Sequence, residues 1–220
     1  DFCAIGGKIT KRVFPPLNTT DYATYIQQLP PPDQVDGYFW VVGGTGTAAS
    51  LTAFEQAYGA LKPSQHIGNL FFAFLGADKV VAPKVVGSYV GGFGTSPGLK
   101  TKQARAYEAV MKKHYPELPA ADGFVYNYYN AAWAFVQGLQ KAGGNLANLQ
   151  ASMPRTLKPG YQVSGGGVLR LDANRQAIQD QWPLQLVKQG DSIAPAVVGY
   201  VPNVNQSFGG LFKKTSPPPG

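Results

Sequence analysis

The chain of 220 residues has a single cysteine, Cys3. That excludes an intrachain disulfide and any cysteine-rich metal site and leaves the redox compartment open. Without the small-residue context of a lipid-modified cysteine, Cys3 reads as a small apolar residue for burial. Histidine is nearly as scarce: His66 and His114 are the only two, and neither stands at a metal-ligand spacing. No metal or cofactor is expected. Charge is thin as well, at 14% of residues against roughly 25% in an average globular protein. So little Lys and Arg argues against nucleic acid as a partner. No run of about 18 apolar residues reads as a membrane span. The opening Asp1-Phe2-Cys3 has no basic-then-apolar start of a secretory leader, an expectation about this chain that leaves earlier processing open.

What is present is a globular composition: 44% hydrophobic, 12% aromatic. That is enough apolar material for a substantial core and excludes a wholly disordered chain. The length allows one large domain or two small ones. Glycine (27) and proline (18) are plentiful, which predicts many turns and short elements. The net charge of +7 comes from scattered basic residues, densest at Lys100, Lys102, Arg105, Lys112 and Lys113. On one helix these read as a solvated face giving solubility and weak steering.

Local patterns predict an alternating order. Cys3–Ile5 with Gly6-Gly7 reads as a last helical turn with a glycine stop, and Lys8 to Phe14 as a strand closed by Pro15-Pro16. Thr20 or Asp21 caps a helix with Tyr22, Tyr25, Ile26 and Leu29 on one face, ended by Pro30-Pro31-Pro32. Tyr38 to Val42 is a continuous apolar run, as for a strand buried on both faces. A second helix carries Leu51, Phe54, Tyr58 and Leu61 on one face, and His66 to Phe74 and Ser88 to Phe93 read as further strands. Strand–helix alternation predicts an α/β fold with a parallel sheet flanked by helices. Thr101–Tyr115, Asp122–Lys141 and Asn145–Met153 read as helices. Val168–Leu171 and Trp182–Val187 read as strands flanking the Asp172–Arg175 turn, and the Pro-rich end as a loose tail.

Chemistry concentrates after Val42. Gly43-Gly44-Thr45-Gly46-Thr47 joins a buried strand to a helix, so free N–H groups and the hydroxyls of Thr45 and Thr47 converge where a carboxylate or phosphate is favoured. The same segment also reads as a tight turn with Thr47 as N-cap alone. It is neither a phosphate-binding loop nor a dinucleotide fingerprint. The helix from Gly123 carries two aromatic faces, Phe124, Tyr128 and Phe135 on one and Tyr126, Tyr129 and Trp133 on the other. Two such faces exceed what one core contact needs, so one reads either as a further core stripe or as lining for a cleft or an interface. No serine sits in a nucleophile elbow. Glu108, Glu117, Asp172 and Asp180 show no pairing, so an enzyme is the minority reading.

A series of segments taken in order is more specific than any one of them. Gly6-Gly7-Lys8-Ile9, Asn18 to Leu29, Val42 to Thr47, Tyr126 to Gly144, Leu171 to Ala177 and Val201 to Gly209 run in the order found in one family. Over most of its positions the chain resembles the C-terminal part of a type I periplasmic binding protein, the branched-chain amino-acid-binding class of ABC-transporter substrate-binding proteins. The resemblance implies a periplasmic-binding-protein-like fold of two α/β lobes. Residues 1–97 would form a second-lobe segment, and residues 98–160 helices returning to the first lobe. Residues 161–220 would supply a late hairpin, a last strand near the hinge and the tail. It further implies a non-catalytic, extracytoplasmic protein, periplasmic or membrane-attached outside the cell, that traps a small ligand between the lobes by hinge closure for an ABC-transporter permease.

Residue by residue, the resemblance places Thr45, Gly46 and Thr47 in the loop that meets the ligand, Phe71 or Phe72 at a second cleft position, and Tyr129 with Tyr126 as aromatics from the returning helix. Two departures bear on the ligand. Where members often carry an acidic residue for an ammonium, Phe71-Phe72 stands, which shifts the expectation from an α-amino acid toward an aromatic or aliphatic carboxylate. Arg175 replaces a common turn glycine. The first-lobe segment that would complete the cleft has no counterpart in this chain, so the isolated chain is expected to be poorly stable or to self-associate. Rival readings are a ligand sensor of the same fold, or an α/β enzyme using Gly43–Thr47 for a phosphorylated substrate.

Overall fold

The computed structural model describes residues 2–43, 46–69, 82–91, 101–117, 123–157, 161–162, 168–172, 176–190 and 192–205. In chain order these form a 3-10 turn at Cys3–Ile5, helix α1 (Ala23–Ile26), strand β1 (Tyr38–Trp40), helix α2 (Gly46–Tyr58), a 3-10 turn at Pro63–Gln65 and strand β2 (His66–Gly68). Helix α3 (Ala82–Val85), strand β3 (Tyr89–Val90), and helices α4 (Lys102–His114), α5 (Gly123–Lys141) and α6 (Leu146–Leu157) follow. The chain then runs through strands β4 (Tyr161–Gln162), β5 (Val168–Leu171), β6 (Ala177–Gln181), β7 (Leu184–Gln189), β8 (Ser192–Val197) and β9 (Val201–Val204). It divides into two compact units. One comprises Gly6–Gly91 and Pro183–Val198, the other Asp1–Ile5, Gly92–Trp182 and Gly199–Gly220.

The first unit is built on a five-stranded sheet in the order β1-β2-β3-β7-β8. Strands β1, β2 and β3 are mutually parallel, and β7 and β8 add on antiparallel. Alternation along the strands sends Tyr38, Trp40, His66, Val90, Leu184 and Leu186 into the core. There they meet α2: Phe54 packs edge-on against Tyr38, Trp40 and His66 with ring centroids 4.7, 5.7 and 5.2 Å away. Helix α1 is tied to α2 by Tyr58, whose hydroxyl donates to the carbonyls of Ile26 (3.2 Å) and Leu29 (2.6 Å). The proline segment that ends it is held the same way. Tyr38 donates to the Pro30 carbonyl at 2.7 Å, and the Gln65 amide to Pro32 and Val35. Burial, with Tyr58 and Asp33 nearby, pushes the Tyr38 phenol up to about 12.

The opposite face of this sheet differs from what the continuous apolar run predicts. Phe39 pairs with Ile67, and Ile67 with Tyr89, and all three are exposed, Phe39 by 71%. Strand β1 is therefore buried on one face, because α2 covers only one. Lys8–Phe14, expected as a strand, forms none. A strand exists only where its backbone groups find a ladder partner, and this run pairs with none among the described residues, where Ile9 and Phe14 are exposed. Cys3, expected to be buried, is exposed in its short turn.

The second unit packs α4 against α5 through Tyr107, Met111 and Tyr126, with Val125 and Tyr129 alongside. Thr101 caps α4 by accepting from the Ala104 N–H at 3.1 Å. Lys112, Lys113 and His114 occupy its last turn, where cations complement the helix dipole. Helices α5 and α6 meet closely at Gly138, whose carbonyl accepts from Ser152 at 2.9 Å. An antiparallel sheet in the order β4-β5-β6-β9 completes the unit. The turn after β5 is flanked by β6 rather than by Trp182–Val187 as expected. Leu184–Gln189 instead pairs with β8 in the first unit's sheet. Pro183, which has no N–H to give to a ladder, separates the two strands.

Candidate functional site

In an open α/β sheet, ligands collect beyond the carboxyl ends of the parallel strands. Here that end is occupied by the exit of β1, the exit of β2 and the N-terminus of α2. Val42 is the pivot. Its carbonyl accepts the Thr47 hydroxyl at 2.8 Å and the Asn69 side-chain amide at 3.3 Å. Asn69 also donates its backbone N–H to the Trp40 carbonyl at 3.1 Å. The strand exit is thus fastened from both sides, to α2 and to the chain leaving β2.

Helix α2 begins at Gly46 with no acidic side chain in its first turn. The first N–H groups of any α-helix lack intrahelical acceptors and carry the positive end of its dipole. They make the polar lining of this end of the sheet, and a carboxylate is the group they suit. Gly46 is required for packing: a Cβ there would overlap the Tyr22 hydroxyl and come within 3.0 Å of Val42 Cγ1. The Thr47 hydroxyl is not one of the free donors. Thr47 is 1% exposed, and its hydrogen is committed to Val42. Ser50, also buried, turns its hydroxyl onto the Thr47 carbonyl at 2.9 Å. Gly46 and Thr47 are left with main-chain donors.

Behind this edge lies His66, fully buried in the sheet's core. Its ring stacks on Trp40 at 5.8 Å and 14° and on Tyr38 at 5.5 Å and 25°. Its Nδ1 accepts the Trp40 indole N–H at 2.9 Å, which leaves the hydrogen on Nε2 in the neutral ring. Burial lowers its pKa from 6.5 to about 4. A neutral, stacked, indole-bonded imidazole is a packing group.

The remaining expected site residues fall apart into two sets. Thr45, Phe71 and Phe72 lie outside the described residues. Tyr126 and Tyr129 belong to the second unit. Tyr126 is 5% exposed, its ring 4.7 Å from that of Tyr107 in a T-shaped contact, and Tyr129 is half-buried with its ring 5.1 Å from the same tyrosine. The other aromatic face of α5 is open, with Tyr128 76% exposed and Phe135 exposed. The carboxylates do structural or solvent work. Asp172 accepts from the Gln176 N–H across its turn. Asp180 accepts from the Tyr200 hydroxyl and the Asn203 N–H, Glu108 is half-buried and Glu117 is exposed. Asn69 and Tyr22 were not singled out by the sequence. Asn69 falls inside the run His66 to Phe74 read as one strand, although β2 ends at Gly68, and Tyr22 fits the apolar stripe read for its helix, so each passes for ordinary structure.

Residues 2–191 match the family of periplasmic binding proteins. The chain belongs to the type I periplasmic binding protein family. Solved structures of that kind share its fold. An ABC transporter substrate-binding protein from Sphaerobacter thermophilus is 22% identical, with a TM-score of 0.68, over 92% of this chain and 54% of its own. A solute-binding protein of an R. palustris ABC transporter, in complex with 4-hydroxybenzoate, is 17% identical with a TM-score of 0.74 over the same shares. A leucine-binding protein from Thermotoga maritima is 16% identical with a TM-score of 0.65, covering 91% of this chain and 54% of its own. The chain therefore spans about half the length of these proteins. No curated protein matches it. No helix among the described residues is long and apolar enough to cross a membrane.

Proposed function

We propose that this chain is part of an extracytoplasmic solute-binding protein that captures a small organic carboxylate for an ABC-transporter permease, without chemical conversion. Family membership supports the class. The observation that carries the ligand is the N-terminus of α2, set at the carboxyl end of the parallel strands by Val42, Thr47 and Asn69. Its main-chain donors suit one acid group. The chain has no Lys or Arg between Arg12 and Lys62, so α1, β1 and α2 bring no side-chain cation to balance a dianionic phosphate. The Gly46 and Thr47 main chain would hold the acid. Thr45, Phe71, Phe72, Tyr126 and Tyr129 are the candidates for the rest of the lining, on the strength of the family resemblance. Relatives in complex with benzoates and a leucine-binding relative support small carboxylates in general.

A further polypeptide segment completes the binder in this reading. The exposed Phe39, Ile67 and Tyr89, the exposed Tyr128 and Phe135 on α5, and the unpaired Lys8–Phe14 run are the surfaces it would cover. A thermal-shift panel tests the ligand class, since a ligand that binds only the folded chain raises its stability with concentration. Benzoate, 4-hydroxybenzoate or leucine at millimolar concentration is expected to raise the melting temperature, whereas benzamide is not. Equal shifts with benzamide, or none with any carboxylate, would remove the reading.

A further inference from the structure

Three tyrosines of the first unit are buried, or nearly so, around α1 and α2, and two of them have assigned hydroxyl partners. Tyr38 donates to Pro30, and Tyr58 to Ile26 and Leu29. Tyr22 is different. It is 6% exposed, and its hydroxyl lies over Gly46, the first residue of α2, where an added Cβ would strike it. Among the described residues that hydroxyl makes no hydrogen bond, and its oxygen is not one of the fully buried unpartnered atoms. Its ring is buried while its oxygen keeps a way out to solvent or to a ligand, and the polar groups of largely buried side chains usually find a partner. The place where Tyr22 presents its donor is the place where α2 presents its own.

We propose that Tyr22 is a ligand-binding residue: its hydroxyl donates to a carboxylate oxygen of a ligand seated on the N-terminus of α2, beside the first-turn N–H groups. This rests on the reading that the chain binds a small organic acid there, and adds a side chain that reads from sequence as core. A single, largely apolar acid group fits. One hydroxyl and a few main-chain donors match one carboxylate.

The test is a benzoate titration of the 15N-labelled chain, following the amides of Gly46, Thr47 and Ala48, with the same titration of Tyr22→Phe. Because Tyr22 donates to no protein group, Tyr22→Phe is expected to melt with the unmodified chain, whereas Tyr58→Phe, which loses two hydrogen bonds, melts lower. Saturable shifts at the three amides, weakened about tenfold or more in Tyr22→Phe, are the expected result, since a hydrogen bond to a charged group contributes at least that much. Benzamide should leave them unmoved. Equal affinity in Tyr22→Phe would overturn the role of Tyr22 and leave carboxylate binding standing. Saturable shifts only at other amides would overturn the placement on α2. No benzoate-dependent shift anywhere would overturn the carboxylate reading and this inference with it.

Discussion

His66 shows at the scale of one residue how burial settles what a side chain does. Its indole bond and stacking hold the neutral ring, and folding lowers its pKa from 6.5 to about 4. The unfolded chain therefore binds a proton that the folded one refuses. This contribution is fully present above pH 6.5 and is lost as pH falls from there through 4. Between pH 6.5 and 5, above the range of ordinary carboxylates, the loss is about 2 kcal/mol. Urea denaturation across that interval is expected to show it, and His66→Gln, which keeps an acceptor for Trp40, is expected to flatten the slope. A slope unchanged in the variant would move the effect elsewhere. Nothing in the sequence distinguished this histidine from a catalytic one. Strand pairing brings Trp40 beside it and the packing of α2 on the sheet brings Phe54, both far from it in the chain.

Helices α5 and α6 illustrate what element patterns do and do not reveal. The span of α5 follows from apolar spacing and the Gly143-Gly144 stop, whereas α6, expected to end at Met153, runs on to Leu157. Their close approach does not follow from such patterns, because it depends on Gly138 meeting Met153 and Leu149. A Cβ at Gly138 would overlap the Met153 thioether and stand 3.3 Å from Leu149 Cδ1. Gly138→Ala gains helix propensity but overpacks this contact, and a net loss of about 1 kcal/mol is expected from overpacking costs of this kind, read as a lower denaturation midpoint. A gain would mean that Met153 simply turns aside. The β1 run shows the other limit. Five consecutive apolar residues predict a strand, and the strand is there, but whether one face or both is covered depends on partners that the run does not encode. The Phe39–Ile67–Tyr89 row should make the isolated chain self-associate. Sedimentation at increasing concentration is expected to show growing species, reduced in Phe39→Ser with Ile67→Thr; a concentration-independent monomer would contradict this.

For the whole molecule, the ordered series of segments carried more than any motif. It led to the family and the α/β fold, while the local reading of Thr47 as an outward donor gave way to a hydroxyl turned into the Val42 carbonyl. The late segment was harder for a physical reason: β6 and β7 are separated by two residues, yet they join different sheets in different units, and sequence proximity normally implies spatial proximity. The proposed function is capture of a small organic carboxylate and its release unchanged. Native mass spectrometry of the protein incubated with benzoate, 4-hydroxybenzoate and leucine, followed by recovery of the small molecule, tests it directly. The account predicts a one-to-one adduct with at least one acid, recovered at its original mass. No adduct with any of them, or an acid recovered chemically altered, would contradict it.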